Sequence, residues 1–207
     1  MLKHAALLSI TLSLLASCAS MDKSECLTAD WRTIGFEDGA KGKNETAISE
    51  YRKDCAEHGV TPDLTAYRKG HREGTERYCT TRNGFAVGKS GNSYQNSCAA
   101  DLEPDFLTGY RDGQQLYSLQ RAVNNAHAAV DKQQRLLSSL EQDIEAKTDL
   151  LVEDGLKKEQ RIALLEEIDA MKAQFVDAVN ALPALERDVA KAETLLAQGE
   201  KRFSHYQ

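Results

Sequence analysis

The stretch Leu116–Leu151, LYSLQRAVNNAHAAVDKQQRLLSSLEQDIEAKTDLL, decides the fold. Apolar residues recur in it at alternating intervals of three and four: Leu116, Leu119, Val123, Ala126, Val130, Leu137, Leu140, Ile144 and Leu151. Gln133 and Lys147 fill the two remaining positions of the same seven-residue pattern. That period keeps one stripe of a helix turned toward a partner helix along its whole length. The pattern stops at Asp154-Gly155, where glycine followed by lysines ends a helix. It resumes at Leu164, Ile168, Met171, Phe175, Ala178, Leu182, Leu185, Val189, Ala192, Leu196, Gly199 and Phe203. Matched stripes joined by a turn near 154–157 predict an antiparallel coiled-coil hairpin over 116–207, with arms about 55 to 65 Å long. Pro183 lies inside the second arm, where it deletes one backbone hydrogen bond and is expected to kink the helix near Val179.

The chain before the hairpin reads as a small helical domain over 26–115. Thr28 can cap a first helix through Trp31, Ile34 and Phe36 to a stop at Gly42. Asn44 can cap a second through Ile48 and Tyr51 to His58, with Gly59 as left-handed terminator. Thr61-Pro62-Asp63 starts a third, with proline at its first position and an acid in its first turn, ending near Tyr78. Pro104 starts the helix that leads into the hairpin. Four cysteines, Cys26, Cys55, Cys79 and Cys98, form an even set. Three pairings are open to them. An antiparallel hairpin of the first two helices brings Cys26 and Cys55 to one end, which favours Cys26–Cys55 and leaves Cys79–Cys98. Each bridge would close a loop worth about 3 kcal/mol, support that a core this small needs. No Cys-x-x-Cys pair occurs, and the spacing does not resemble a zinc site.

Three segments share glycines four apart and an acid before the second glycine: Gly35-Phe36-Glu37-Asp38-Gly39, Gly70-His71-Arg72-Glu73-Gly74 and Gly109-Tyr110-Arg111-Asp112-Gly113. Glycine inside a helix costs up to about 1 kcal/mol relative to alanine, so three such pairs need a reason. The preferred one is close packing, since residues four apart lie on one helical face and a bare backbone admits a neighbour. The alternative gathers Asp38, Arg72, Glu73, Arg111 and Asp112 into a polar groove for a small ligand. The segment Gly84-Phe85-Ala86-Val87-Gly88-Lys89-Ser90 is one residue short of a phosphate loop and has Asn83 where the first glycine belongs. We read Thr80–Ser97 as an irregular surface loop held between Cys79 and Cys98, with Phe85, Lys89 and Tyr94 as its exposed binding candidates. His58, His71, His127 and His205 form no metal-spaced pair, and no nucleophile elbow or paired-carboxylate signature appears, so we expect no catalytic residues, metal or cofactor.

The compartment is written at the start of the chain. Lys3 and His4 precede an apolar run from Ala5 to Leu15, followed by Leu15-Ala16-Ser17-Cys18, a bacterial lipobox. Residues 1–17 are then a signal peptide, Cys18 carries acyl chains of the palmitate type, and 18–25 is a short anchor linker. Ala19 in place of aspartate favours the outer membrane. Seven residues between Cys18 and Cys26 hold the domain within roughly 25 Å of the bilayer. The formal charge of −6, more negative still once Lys3 leaves, argues against nucleic acid as a partner.

The lipobox, the early cysteine before Trp31-Arg32-Thr33-Ile34-Gly35-Phe36-Glu37-Asp38-Gly39, Ala66-Tyr67-Arg68-Lys69-Gly70 with Glu73-Gly74, and Phe106-Leu107-Thr108-Gly109-Tyr110-Arg111-Asp112-Gly113 carry a resemblance. Over residues 18–117 the chain resembles a proteobacterial lipoprotein family known as domain of unknown function 2799. The resemblance implies an envelope lipoprotein and no chemistry. His71 departs from the Phe or Tyr at the matching place in the other two repeats. The whole reading is an all-α, non-enzymatic, outer-membrane-anchored adaptor. Its hairpin meets an envelope protein or a second copy of itself; the alternative is a periplasmic module binding a small ligand or cell-wall fragment. Replacing Cys18 by serine is expected to abolish incorporation of labelled palmitate and release the chain from the membrane fraction; unchanged fractionation would remove the lipid anchor from the reading.

Overall fold

The computed structural model describes residues 20–206, so the leader and Cys18 lie outside the described residues. All regular structure among the described residues is helical. The chain forms two compact units, dividing between Thr75 and Glu76. The boundary expected at 115–116 falls inside a single unbroken helix, Glu103–Leu151, which carries both a glycine pair and the heptads. No described helix is long and apolar enough to cross a membrane.

The first unit contains α1 (Lys23–Thr28), α2 (Trp31–Ala40), α3 (Ile48–Ala56) and most of α4 (Leu64–Tyr78). The starts of α1, α2 and α4 are set by carboxylates. Asp22 and Glu25 form a reciprocal capping box on α1, and the Thr28 hydroxyl donates back to the Ser24 carbonyl in its last turn. Asp30, not Thr28, caps α2, accepting from the Arg32 and Thr33 amides, because an ionised acceptor outcompetes a hydroxyl. Asn44 caps a short 3₁₀ turn, Glu45–Ala47, that leads into α3, and Gly59 follows that helix at φ +73°. Asp63 caps α4 by accepting from Thr65 and Ala66, which moves Pro62 outside the helix rather than to its first position. The Cys26–Cys55 disulfide joins α1 to the last turn of α3, and it packs with Trp31, Ile48 and Tyr67 as the core.

The contact between α2 and α4 is made by backbone. A methyl group added at Gly35 would stand 2.1 Å from the Tyr67 carbonyl oxygen, and at Gly39 2.2 Å from that of His71. Reciprocally, one at Gly70 would stand 1.9 Å from the Arg32 oxygen, and one at Gly74 2.1 Å from that of Phe36. Each carbonyl occupies the place of a side chain, so the glycine Cα hydrogen points at it, a weak but repeated polar contact.

The second unit repeats the device with a pair that sequence reading misses. Residues expected to be an irregular loop form α5 (Thr81–Lys89), capped by the Thr80 hydroxyl on the Asn83 amide. The false phosphate loop is therefore a fourth helical glycine pair. Methyl groups at Gly84 and Gly88 would stand 2.1 and 2.2 Å from the Phe106 and Tyr110 oxygens of α6 (Glu103–Leu151). At Gly109 and Gly113 they would stand 1.9 and 2.2 Å from the Thr81 and Phe85 oxygens of α5. Phe85 is consequently buried, not exposed, stacked on Tyr206 at 4.3 Å, while Tyr94 is half-buried against Phe106. The Cys79–Cys98 disulfide closes the segment around α5. Tyr51 and Tyr94 each stand four residues before the second cysteine of a bridge. Both tilt against the ring three residues before the next glycine pair, Tyr67 in one unit and Phe106 in the other.

From Leu116 onward, α6 pairs with α7 (Lys158–Arg202), with the turn at 152–157 and Gly155 at φ +93°. Every heptad position from Leu116 to Phe203 is buried or half-buried. The two polar members of the α6 stripe find partners across the seam: Lys147 pairs with Glu167, and Gln133 donates to the Ala178 carbonyl at 2.9 Å. α7 continues through Pro183, and the Gln133 contact falls in the turn that the proline deprives of a hydrogen bond. Arg161 reaches back to the Leu151 and Glu153 carbonyls, satisfying the end of α6. Phe203 and Tyr206 return to Phe85 and Leu116, closing the core of this unit.

Gly70→Ala separates close packing from a merely tolerated glycine by sign. Relief of a helix cost would stabilise by up to about 1 kcal/mol, whereas a methyl group against the Arg32 carbonyl should destabilise by about 2 kcal/mol or more, read from the urea midpoint of the oxidised protein.

Candidate functional site

The glycine pairs also position the acids that precede their second member. A residue three after the first glycine lies beside the glycine face, so it is drawn to the helix contact. Asp38 on α2 is buried and accepts from the Tyr67 hydroxyl at 2.9 Å and the Tyr51 hydroxyl at 2.9 Å. Lys43, just past the end of α2, closes on its other oxygen at 2.8 Å. Glu73 on α4 instead holds the Arg32 guanidinium, and Asp112 on α6 accepts from the Tyr206 hydroxyl at 2.8 Å. In α5 the equivalent residue is Val87, and no such cluster forms on it.

Asp38 therefore centres a polar network beside the apolar core of this unit. Tyr67 is fully buried; its phenol is pushed well above the usual tyrosine range, first by burial and then by the Asp38 charge beside it. Burial and the same carboxylate also raise Tyr51. The charge-assisted hydrogen bond to Asp38 raises Lys43 against a smaller opposing effect of burial. His71 stacks on Tyr67 with ring centres 5.9 Å apart, and its Nε2 lies 2.8 Å from the Lys43 carbonyl oxygen. In the second unit Tyr110 stacks on Phe106 at 6.0 Å, so His71 occupies a flat-ring position and adds a polar edge to it. Sequence reading finds Asp38 but not Tyr51, Tyr67, Lys43 or His71. The available signal is the register of Asp38, three after a glycine that must be covered.

Asp38, Lys43 and Tyr51 line an open depression of about 420 Å³ together with Met21, Glu25 and Glu37. Glu73 and Arg32 line a separate one of about 280 Å³. Asp38 and Glu73 thus serve different depressions, and neither is lined by Arg72, which is exposed on α4. Arg111, exposed on α6, and Asp112 belong to the second unit. With three donors on its two oxygens, the Asp38 carboxylate is committed to holding α2, α3 and α4 together. Among the described residues no three His, Cys, Asp or Glu side chains stand close enough to hold a metal ion.

This geometry lies within a stretch that is similar to a known family model. Residues 30–115 match the model described as a protein of unknown function, DUF2799. The match covers less than half of the chain. No curated protein and no solved structure matches the chain. The DUF2799 match takes in all four glycine pairs and ends just after Gly113, leaving the hairpin outside it.

Raising the pH should expose the tyrosine network. An unfolded tyrosine loses its proton near pH 10 whereas Tyr67 in the folded domain keeps it, so above that pH the unfolded state binds fewer protons and stability falls. The stability of the wild type should be level up to about pH 9.5 and decline beyond it. Tyr67→Phe should cost about 1 to 3 kcal/mol at pH 7 by leaving Asp38 short of a donor, and should flatten the alkaline decline; an equally steep decline in the variant would refute the assignment to Tyr67.

Proposed function

We propose that this protein is a non-enzymatic envelope lipoprotein, anchored through Cys18 to the outer membrane, whose coiled-coil hairpin is an adaptor surface for a protein partner. The observation that carries the reading is apolar surface left outside the seam. Ile162, Leu165, Val176 and Val179 of α7 are 46%, 50%, 55% and 42% exposed although the heptad stripe beside them already fills the contact with α6. A helix needing only an intramolecular partner would carry polar residues there. The lipobox and the two disulfides support an oxidising, extracytoplasmic compartment. The Asp38 carboxylate, which already accepts from Tyr51, Tyr67 and Lys43, argues for a structural role of the polar cluster over catalysis.

In-cell photo-crosslinking tests the adaptor reading. A photoreactive residue at Val176 is expected to give a discrete protein adduct and one at Lys89 to give none. Glycan captured from Lys89 with nothing from Val176 would favour instead a module binding a cell-wall fragment.

A further inference from the structure

The exposed apolar residues of α7 form a second stripe. Taking the seam positions as a and d of the heptad, Ile162, Asp169, Val176 and Pro183 fall at b, while Leu165, Lys172, Val179 and Glu186 fall at e. The b and e positions lie side by side, about 100° around the helix from the seam. From Ile162 to Val179 the spacing is three, four, three, four, three, which is again a coiled-coil stripe, about 26 Å long. It ends where Pro183 and Glu186 come next.

The order of residues along this stripe is symmetric: apolar, apolar, acid, base, apolar, apolar. We propose that it is the interface of an antiparallel two-fold dimer, with a second copy of this chain as its occupant. A two-fold axis midway between Asp169 and Lys172 sets Ile162 against Val179 of the other copy, Leu165 against Val176, and Asp169 against Lys172. Each pairing then occurs twice, as a two-fold interface requires. The pairing also sets b against e throughout, the antiparallel counterpart of a against d. Both charged residues are exposed, and the described ion pairs of the hairpin are His127 with Glu193 and Lys147 with Glu167, leaving Asp169 and Lys172 available. A parallel pairing would oppose Asp169 to Asp169 and Lys172 to Lys172, so the charges select the antiparallel arrangement. The proposal rests on the reading of the hairpin as a contact element and names its partner.

Charge reversal tests it on the full chain in density-matched detergent by sedimentation equilibrium. The wild type should be a reversible dimer. Asp169→Lys and Lys172→Asp should each weaken dimerisation by about tenfold or more, because like charges then face each other twice. Mixing the two variants should restore it, since lysines of one copy then meet aspartates of the other at both positions; the double variant should also dimerise. Rescue on mixing is an outcome that a mere loss of folding cannot produce. A monomeric wild type, or a dimer indifferent to both reversals, overturns the proposal. Crosslinking from Val176 separates the two levels of the argument: an adduct between two copies of this chain supports the dimer. A hetero-adduct alone overturns it while leaving the adaptor reading intact, and absence of any adduct overturns both.

Discussion

The constraint on which the rest depends is backbone lying on backbone at the glycine pairs. At eight glycines in four helices a carbonyl oxygen stands where a methyl group would be, within about 0.3 Å of the same distance each time. Such a contact has no side chains to adjust, so it fixes the separation and the register of each helix pair together. It also has little apolar area to stabilise it. The domain compensates with a disulfide beside each crossing and with aromatic rings packed around the contact, Tyr67 and Trp31 in one unit, Phe106 and Phe85 in the other.

The same contact accounts for the polar residues near it. A side chain placed just beside a glycine face is carried into the crossing whether or not it is apolar, and a carboxylate brought there must be given donors. Asp38 receives two phenols and an ammonium, Glu73 a guanidinium, Asp112 a phenol. Val87 in the fourth copy needs none. The three acids of the set that in sequence looks like a convergent binding group are each satisfied locally, where the helix contact draws them inward. The network meets solvent at the depression beside Asp38, through the half-exposed Lys43.

The hairpin obeys different physics. Its seam is built from side chains in heptad register, and its polar members are satisfied across the contact rather than by backbone proximity. Such a seam leaves the rest of each helix free, and on α7 that freedom is used for a further apolar stripe with a charge pair at its centre. The return of Phe203 and Tyr206 to Phe85 ties the end of the hairpin to the glycine-packed helices of its unit, so that both belong to one compact body.

Periodicity and covalent chemistry are local properties, and the sequence by itself determined their consequences: the all-helical class, the heptad positions, the turn at Gly155, the even cysteine set and the glycine pairs at 35, 70 and 109. The structure decided the features that depend on which helix lies against which. It turned Gly84–Gly88 from a loop into a fourth packing pair, because its neighbour, the helix bearing Gly109 and Gly113, is distant in the chain. It buried Phe85 under the far end of α7 for the same reason. It gave Asp38 the partners Tyr51 and Tyr67, which stand on other helices at spacings that no single period links to residue 38. A glycine pair announces in sequence that something must come close; only the tertiary contact supplies the carbonyl that fills the space.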